Sequence, residues 1–136
     1  MKRIVALLLL VSPAIAQSPP FKPVATINEI MDAITLPYSD ALLYIQRNPP
    51  KSDWDWQVLQ MQALMLAESG NLLMMKERAK NQGEWMKDAR LLVDAGIAAV
   101  KATRAKDMDA VLALNEQIVN SCVTCHRKFR SGRRER

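Results

Sequence analysis

Apolar residues recur every three or four positions along four stretches of the chain, and no segment sustains alternation with period two. That spacing predicts amphipathic helices, each burying one face. In the first, Ile27, Ile30/Met31, Ile34, Tyr38, Leu42 and Ile45 form the apolar stripe, and Thr26-Ile27-Asn28-Glu29 has the form of a capping box ahead of it. Pro37 falls inside this pattern, where it removes a backbone donor and crowds the Ala33 carbonyl, so a kink or split is expected near residues 35–37. Asn48-Pro49-Pro50 ends the segment. Ser52 should cap the second helix, with Asp53 and Asp55 favouring its dipole, and its stripe runs through Trp56, Leu59, Ala63 and Leu66. Val58, Met61 and Met65 widen that surface, and Gly70-Asn71 is expected to stop the helix. Residues 70–83 read as a loop with one helical turn, packed down by Leu72, Leu73 and Met75.

The third helix should run from Glu84-Trp85 to about Lys106, with Met86, Ala89, Val93, Ile97 and Val100 on one face. Gly96, Ala98 and Ala99 would let a neighbour approach closely. Asp107 should cap the fourth helix, whose stripe is Val111, Leu114, Ile118, Cys122, Cys125 and Phe129. Short connections between four such helices predict an all-α, antiparallel up-down-up-down four-helix bundle.

The chain start reads differently. Met1-Lys2-Arg3, an apolar run from Ile4 to Val11, and Ser12-Pro13-Ala14-Ile15-Ala16 have the form of a secretory signal peptide, with cleavage expected after Ala16. The run is too short to span a bilayer, so no stable membrane insertion is expected after its removal. Residues 17–136 then form a single domain of a size that supports one core. Removing Lys2 and Arg3 leaves 17 basic residues against 14 acids, a net charge of +3 in place of +5. Much of that excess lies after Cys125-His126, in Arg127 to Arg136. This tail reads first as a solvated terminus, with steering of an acidic partner as the functional alternative. Without basic residues spread elsewhere, nucleic acid is not an expected partner.

Both cysteines and the single histidine of the chain lie within Cys122-Val123-Thr124-Cys125-His126. Cys-x-x-Cys-His is the attachment sequence of c-type haem: the two thiols add to the vinyl groups and the histidine binds iron. Structural zinc needs four ligands, one more than the chain's Cys and His provide. A thioredoxin-like pair belongs near a βαβ pattern, which is missing here. A disulfide in an exported helical protein is the strongest of the plain alternatives. The motif favours haem, because a periplasmic or otherwise exported chain would not keep free thiols reduced. At about 100° per residue, Cys122, Cys125 and His126 share the face that carries Leu114 and Ile118, which predicts haem c in the bundle core near the C-terminal helix.

With this motif at the end of its last predicted helix, the chain resembles the class II c-type cytochromes, cytochrome c′ and its low-spin Met/His-ligated relatives. Phe129-Arg130 resembles the aromatic-Arg pair that often follows in that family. Ala67-Glu68-Ser69-Gly70 lacks the family's Pro-aromatic segment, and Pro37 lies in an unusual place. The resemblance implies a periplasmic mono-haem protein with His126 as the proximal axial ligand. It also points to Ile30-Met31-Asp32, where low-spin members carry a ligating methionine, and so to Met31 as the distal ligand. Taken without the resemblance, Met31 reads as core filling. Met61, Met65, Met74 and Met75 are its rivals, and Trp56, Trp85 and Tyr38 are pocket-wall or core residues.

Methionine ligation implies an electron carrier working with redox partner proteins. An open face implies a five-coordinate protein binding small gases such as nitric oxide, and a Cys122–Cys125 disulfide implies a haem-free helical binding module. No catalytic set is proposed by the sequence, so an enzyme is not expected. Pairing through the first two helices, a homodimer, is implied by resemblance alone.

Overall fold

The computed structural model describes residues 21–130, so the signal-peptide reading and residues 131–136 of the basic tail lie outside it. The described residues are helical throughout their regular structure, with no strand among them. None of these helices is long and apolar enough to cross a membrane.

The first predicted helix is assembled from three pieces. Thr26 caps α1 (Ile27–Ile30), its hydroxyl accepting from the Glu29 N–H while the Glu29 carboxylate accepts from the Thr26 N–H at 2.8 Å. A π-helical turn follows over Met31–Thr35, and α2 (Leu36–Leu43) begins with Pro37 in its first turn. The expected break at Pro37 therefore takes the form of one wide turn. It has a consequence for burial. One extra residue in the turn moves the inward positions from Ile30 to Thr35, Ser39 and Leu42, leaving Ile34 and Tyr38 only half-buried. The α-helix stops at Leu43, and a 3₁₀ turn (Ile45–Arg47) fills the span before the prolines.

Helix α3 (Asp53–Leu73) is capped by Ser52, and the Asp55 carboxylate accepts from the Ser52 and Lys51 N–H groups at 2.9 Å each. It does not stop at Gly70. A Cβ on that residue would lie 2.6 Å from Val93 Cγ2 and 3.1 Å from the Ala89 carbonyl oxygen, so the glycine serves close packing on α4 (Glu84–Arg104). Gly96 does the same from the other side, its Cα backed directly on Ala67. These two contacts make α3–α4 the most intimate pair in the molecule. The predicted stripe of α4 holds for Ala89, Val93 and Val100, but Ile97 is exposed and Met86 half-buried; the second row, Trp85, Asp88, Leu92, Ala95 and Ala99, faces inward.

Lys106, in the left-handed region at φ 54°, closes the end of α4. Its N–H bonds to the Thr103 carbonyl, and the Asp107 N–H bonds to that of Ala102. Asp107 then caps α5 (Met108–Ala113), which a turn at Leu114 separates from α6 (Asn115–Phe129). The single fourth helix expected from the sequence is thus two segments.

Contacts at the helix ends fix how they meet. Lys106 Nζ reaches Asp53 at 2.7 Å, and Trp85 Nε1 donates to the Leu73 carbonyl at 2.7 Å, so α3 and α4 join at both ends. Lys128 near the end of α6 meets Glu84 at the start of α4 at 3.1 Å. Between the helices lies a core with Ile30, Leu42, Leu66, Val111 and Ile118 at its centre.

Candidate functional site

Helix α6 carries the Cys-x-x-Cys-His segment over its last two turns. Leu114, Ile118, Ser121, Cys125 and Phe129 are its inward row, with Ile118 and Ser121 buried and the others partly so. The expectation that Cys122, Cys125 and His126 all share the core face holds for Cys125, holds in part for Cys122 and fails for His126. Cys125 packs against the core, Cys122 is half-buried, and His126 is exposed. Helix geometry explains the gradation. Taking Ile118 as the inward direction, Cys125 lies about 20° to one side, Cys122 about 40° to the other, and His126 about 80° round on the Cys122 side.

The two flanks of α6 differ. Lys128, about 80° from Ile118 on the Cys125 side, bonds to Glu84 and Asp88 of α4. The opposite flank carries Cys122, half-buried, and His126, exposed; besides α4, α6 also touches α2 and α5. Those contacts are short compared with the α4 side.

The connection between α3 and α4 gathers the ends of the chain. Arg78 donates from Nε to the Ala25 carbonyl at 3.0 Å, and Lys80 donates from Nζ to the Phe129 carbonyl at 3.0 Å. The start of the first helical segment and the end of the last are held at one end of the molecule. Met31 follows the first anchor by six residues, and His126 precedes the second by three. Met31 is half-buried and packed on the core. Of its rivals, Met61 and Met65 are exposed on the outside of α3, whereas Met74 and Met75 are half-buried in the connection itself. Trp85 is buried, with its ring edge-on to Phe129 at 5.1 Å, while Trp56 and Tyr38 are half-buried.

Both thiols are free. Burial pushes the Cys122 thiol up, opposed by the Ser121 hydroxyl 3.9 Å away. Burial and then the Asp88 charge push up that of Cys125. Partial burial, with the Arg130 charge beside it, pulls His126 below the ordinary histidine value, which favours the neutral imidazole that binds metals.

Comparison with protein-family models, with curated protein sequences and with solved structures returned no match.

The residues are therefore weighed on their own chemistry. Among the described residues, no three His, Cys, Asp or Glu side chains converge to hold a bare metal ion. A porphyrin brings four nitrogen ligands of its own and asks the protein only for axial ones. Two free thiols one helical turn apart, followed by a neutral imidazole on the outer flank, fit that requirement.

Two buried polar residues beside the motif are not marked by the sequence pattern. Ser121, which donates to the Ile118 carbonyl at 2.7 Å, is the most buried residue of the motif region. Asp88 is 1 % exposed, on the inward row of α4 that faces α6. The signal for Asp88 was a charged residue at the i+3 position from Trp85 and i−4 from Leu92, inside an apolar row.

Proposed function

We propose that this chain is an exported, periplasmic mono-haem c-type cytochrome of the class II kind, and that it carries single electrons between redox partner proteins. Cys122 and Cys125 would hold haem c covalently, and His126 would supply the proximal axial ligand. Met31 would supply the distal one. The helices would form an up-down-up-down bundle, with the haem at its end near α6, between that helix and the first helical segment. When bound, the haem supplies reversible one-electron ferric/ferrous chemistry.

The observation that carries this reading is the pair of free, half-buried thiols one turn apart on α6, with His126 exposed on the flank beside Cys122. The protein's other residues serve that site passively. Trp85 and Phe129 close its end with an edge-to-face contact, Lys80 ties α6 down, and Arg78 ties the start of α1 to the same connection. A methionine thioether from the first segment favours electron transfer and a raised potential. No bond is made or broken in a transported partner, so no general acid or base is required.

The test is made on full-length protein produced in a host that attaches haem. Mass spectrometry should find one haem added covalently, lost in Cys122→Ala/Cys125→Ala. The ferric protein should be low-spin, with a methionine–iron charge-transfer band that Met31→Ala abolishes. No added haem mass would overturn the cytochrome reading. A high-spin ferric spectrum indifferent to Met31→Ala would replace the carrier by a five-coordinate, gas-binding protein.

A further inference from the structure

Asp88 is the one carboxylate in the buried row of α4, and the site described above makes no use of it. Its side chain is 1 % exposed. Lys128 Nζ lies 3.5 Å from Oδ1, a long hydrogen bond, and 3.3 Å from Oδ2, which receives no hydrogen bond from any described residue. Lys128 is shared, since it also binds Glu84 at 3.1 Å, and its own side chain is 36 % exposed. One lysine, half turned to solvent and divided between two acids, offsets this carboxylate incompletely. A buried charge so poorly matched is costly to keep.

Its surroundings show where the charge is felt. Asp88 faces the Cys125 flank of α6, the flank from which Lys128 reaches it. Around it are Trp85, Ala89 and Leu92, apolar and buried, which screen it little. A fixed charge in such surroundings acts more strongly on its neighbours than one at the surface.

We infer that Asp88 is a positioning residue for charge: a buried anion beside the Cys125 attachment point that lowers the reduction potential of the loaded protein. The inference rests on the cytochrome reading and deepens it. A ferric site carries one more positive charge than a ferrous one, so a neighbouring anion stabilises the oxidised form. The electron enters from a reduced partner protein and leaves to an oxidised one, and Asp88 changes the ease of that exchange without taking part in it. Lys128 tempers the effect, and its shared pairing with Glu84 leaves part of the field uncancelled.

The experiment uses full-length, haem-loaded protein carrying Asp88→Asn or Asp88→Ser, two neutral replacements of different size. Spectroelectrochemical titration at pH 7 should show both potentials raised. At a fixed ambient potential the ferrous-to-ferric ratio should rise roughly three- to tenfold, a tenfold change corresponding to 59 mV for a one-electron couple. The axial-ligand spectrum should stay as in the parent. A merely structural role would shift the melting midpoint and leave the potential alone. An unchanged or lowered potential in either folded variant would overturn the inference. Loss of fold in both variants would also overturn it, assigning Asp88 to the scaffold. Absence of covalent haem from the parent protein is a separate failure, that of the cytochrome reading, and is seen before any potential is measured.

Discussion

Thr35 ends the π turn at 5 % exposure with no partner for its hydroxyl among the described residues. A buried hydroxyl left without a hydrogen bond costs about 1–3 kcal/mol, whereas valine has nearly the same shape and no such need. Thr35→Val should therefore stabilise the protein by about 1 kcal/mol, read as a higher urea midpoint at unchanged slope. A lower midpoint would mean that the hydroxyl is bonded in the folded protein. Residues differ in how far the sequence exposes their roles. Cys122, Cys125 and His126 stand out in the sequence because the chemistry proposed for them depends on type and spacing along one helix, and the structure places all three on α6. Asp88 does not, because its role comes from Lys128 across the gap between α4 and α6. Apolar patterning marks a polar residue in a buried row as an irregularity without saying what it faces.

Helix starts were the most legible elements. Thr26, Ser52 and Asp107 cap where expected, because capping is settled within four residues of chain. They also give the protein an acid limit. Backbone hydrogen bonds, from Thr26 to Glu29 and from Lys51 to Asp55, hold both carboxyls below their ordinary values. A carboxyl with a lowered folded pKa contributes stability that is complete above its unfolded value, near 4, and is lost as pH falls through the folded one. Thermal melting of the loaded protein should thus show a loss below about pH 4, and Ser52→Ala should make that loss shallower. A slope unaffected by Ser52→Ala would remove the α3 cap from the account. Helix interiors were less legible. Gly70 signals a stop by local propensity, yet α3 runs on to Leu73, since the absence of a side chain there is used by Val93 and Ala89 of another helix. Pro37 foretold a break, but only the structure shows it as a wide turn that moves burial from Ile34 to Thr35.

At the scale of the whole molecule, the α3–α4 pair is the most closely packed part, and its spacing is set by Gly96. A Cβ there would stand 2.5 Å from Ala67 Cα and 2.6 Å from its N, atoms of backbone that cannot swing aside. Gly96→Ala gains up to about 1 kcal/mol of helix propensity and should lose more through overpacking, giving a net destabilisation of about 1–2 kcal/mol by urea unfolding. A stabilised variant would show that the two helices separate freely. The rest is held by the α3–α4 connection, where Arg78 grips the beginning of the helical chain and Lys80 its end. That arrangement has a bearing on the order of events when the protein is made. On the cytochrome reading, Met31 and residues 122–126 stand about ninety positions apart, so Met31 leaves the ribosome well before the attachment residues. Haem attachment would then wait for the final turns of α6, and a chain cut short before them would lack both thiols.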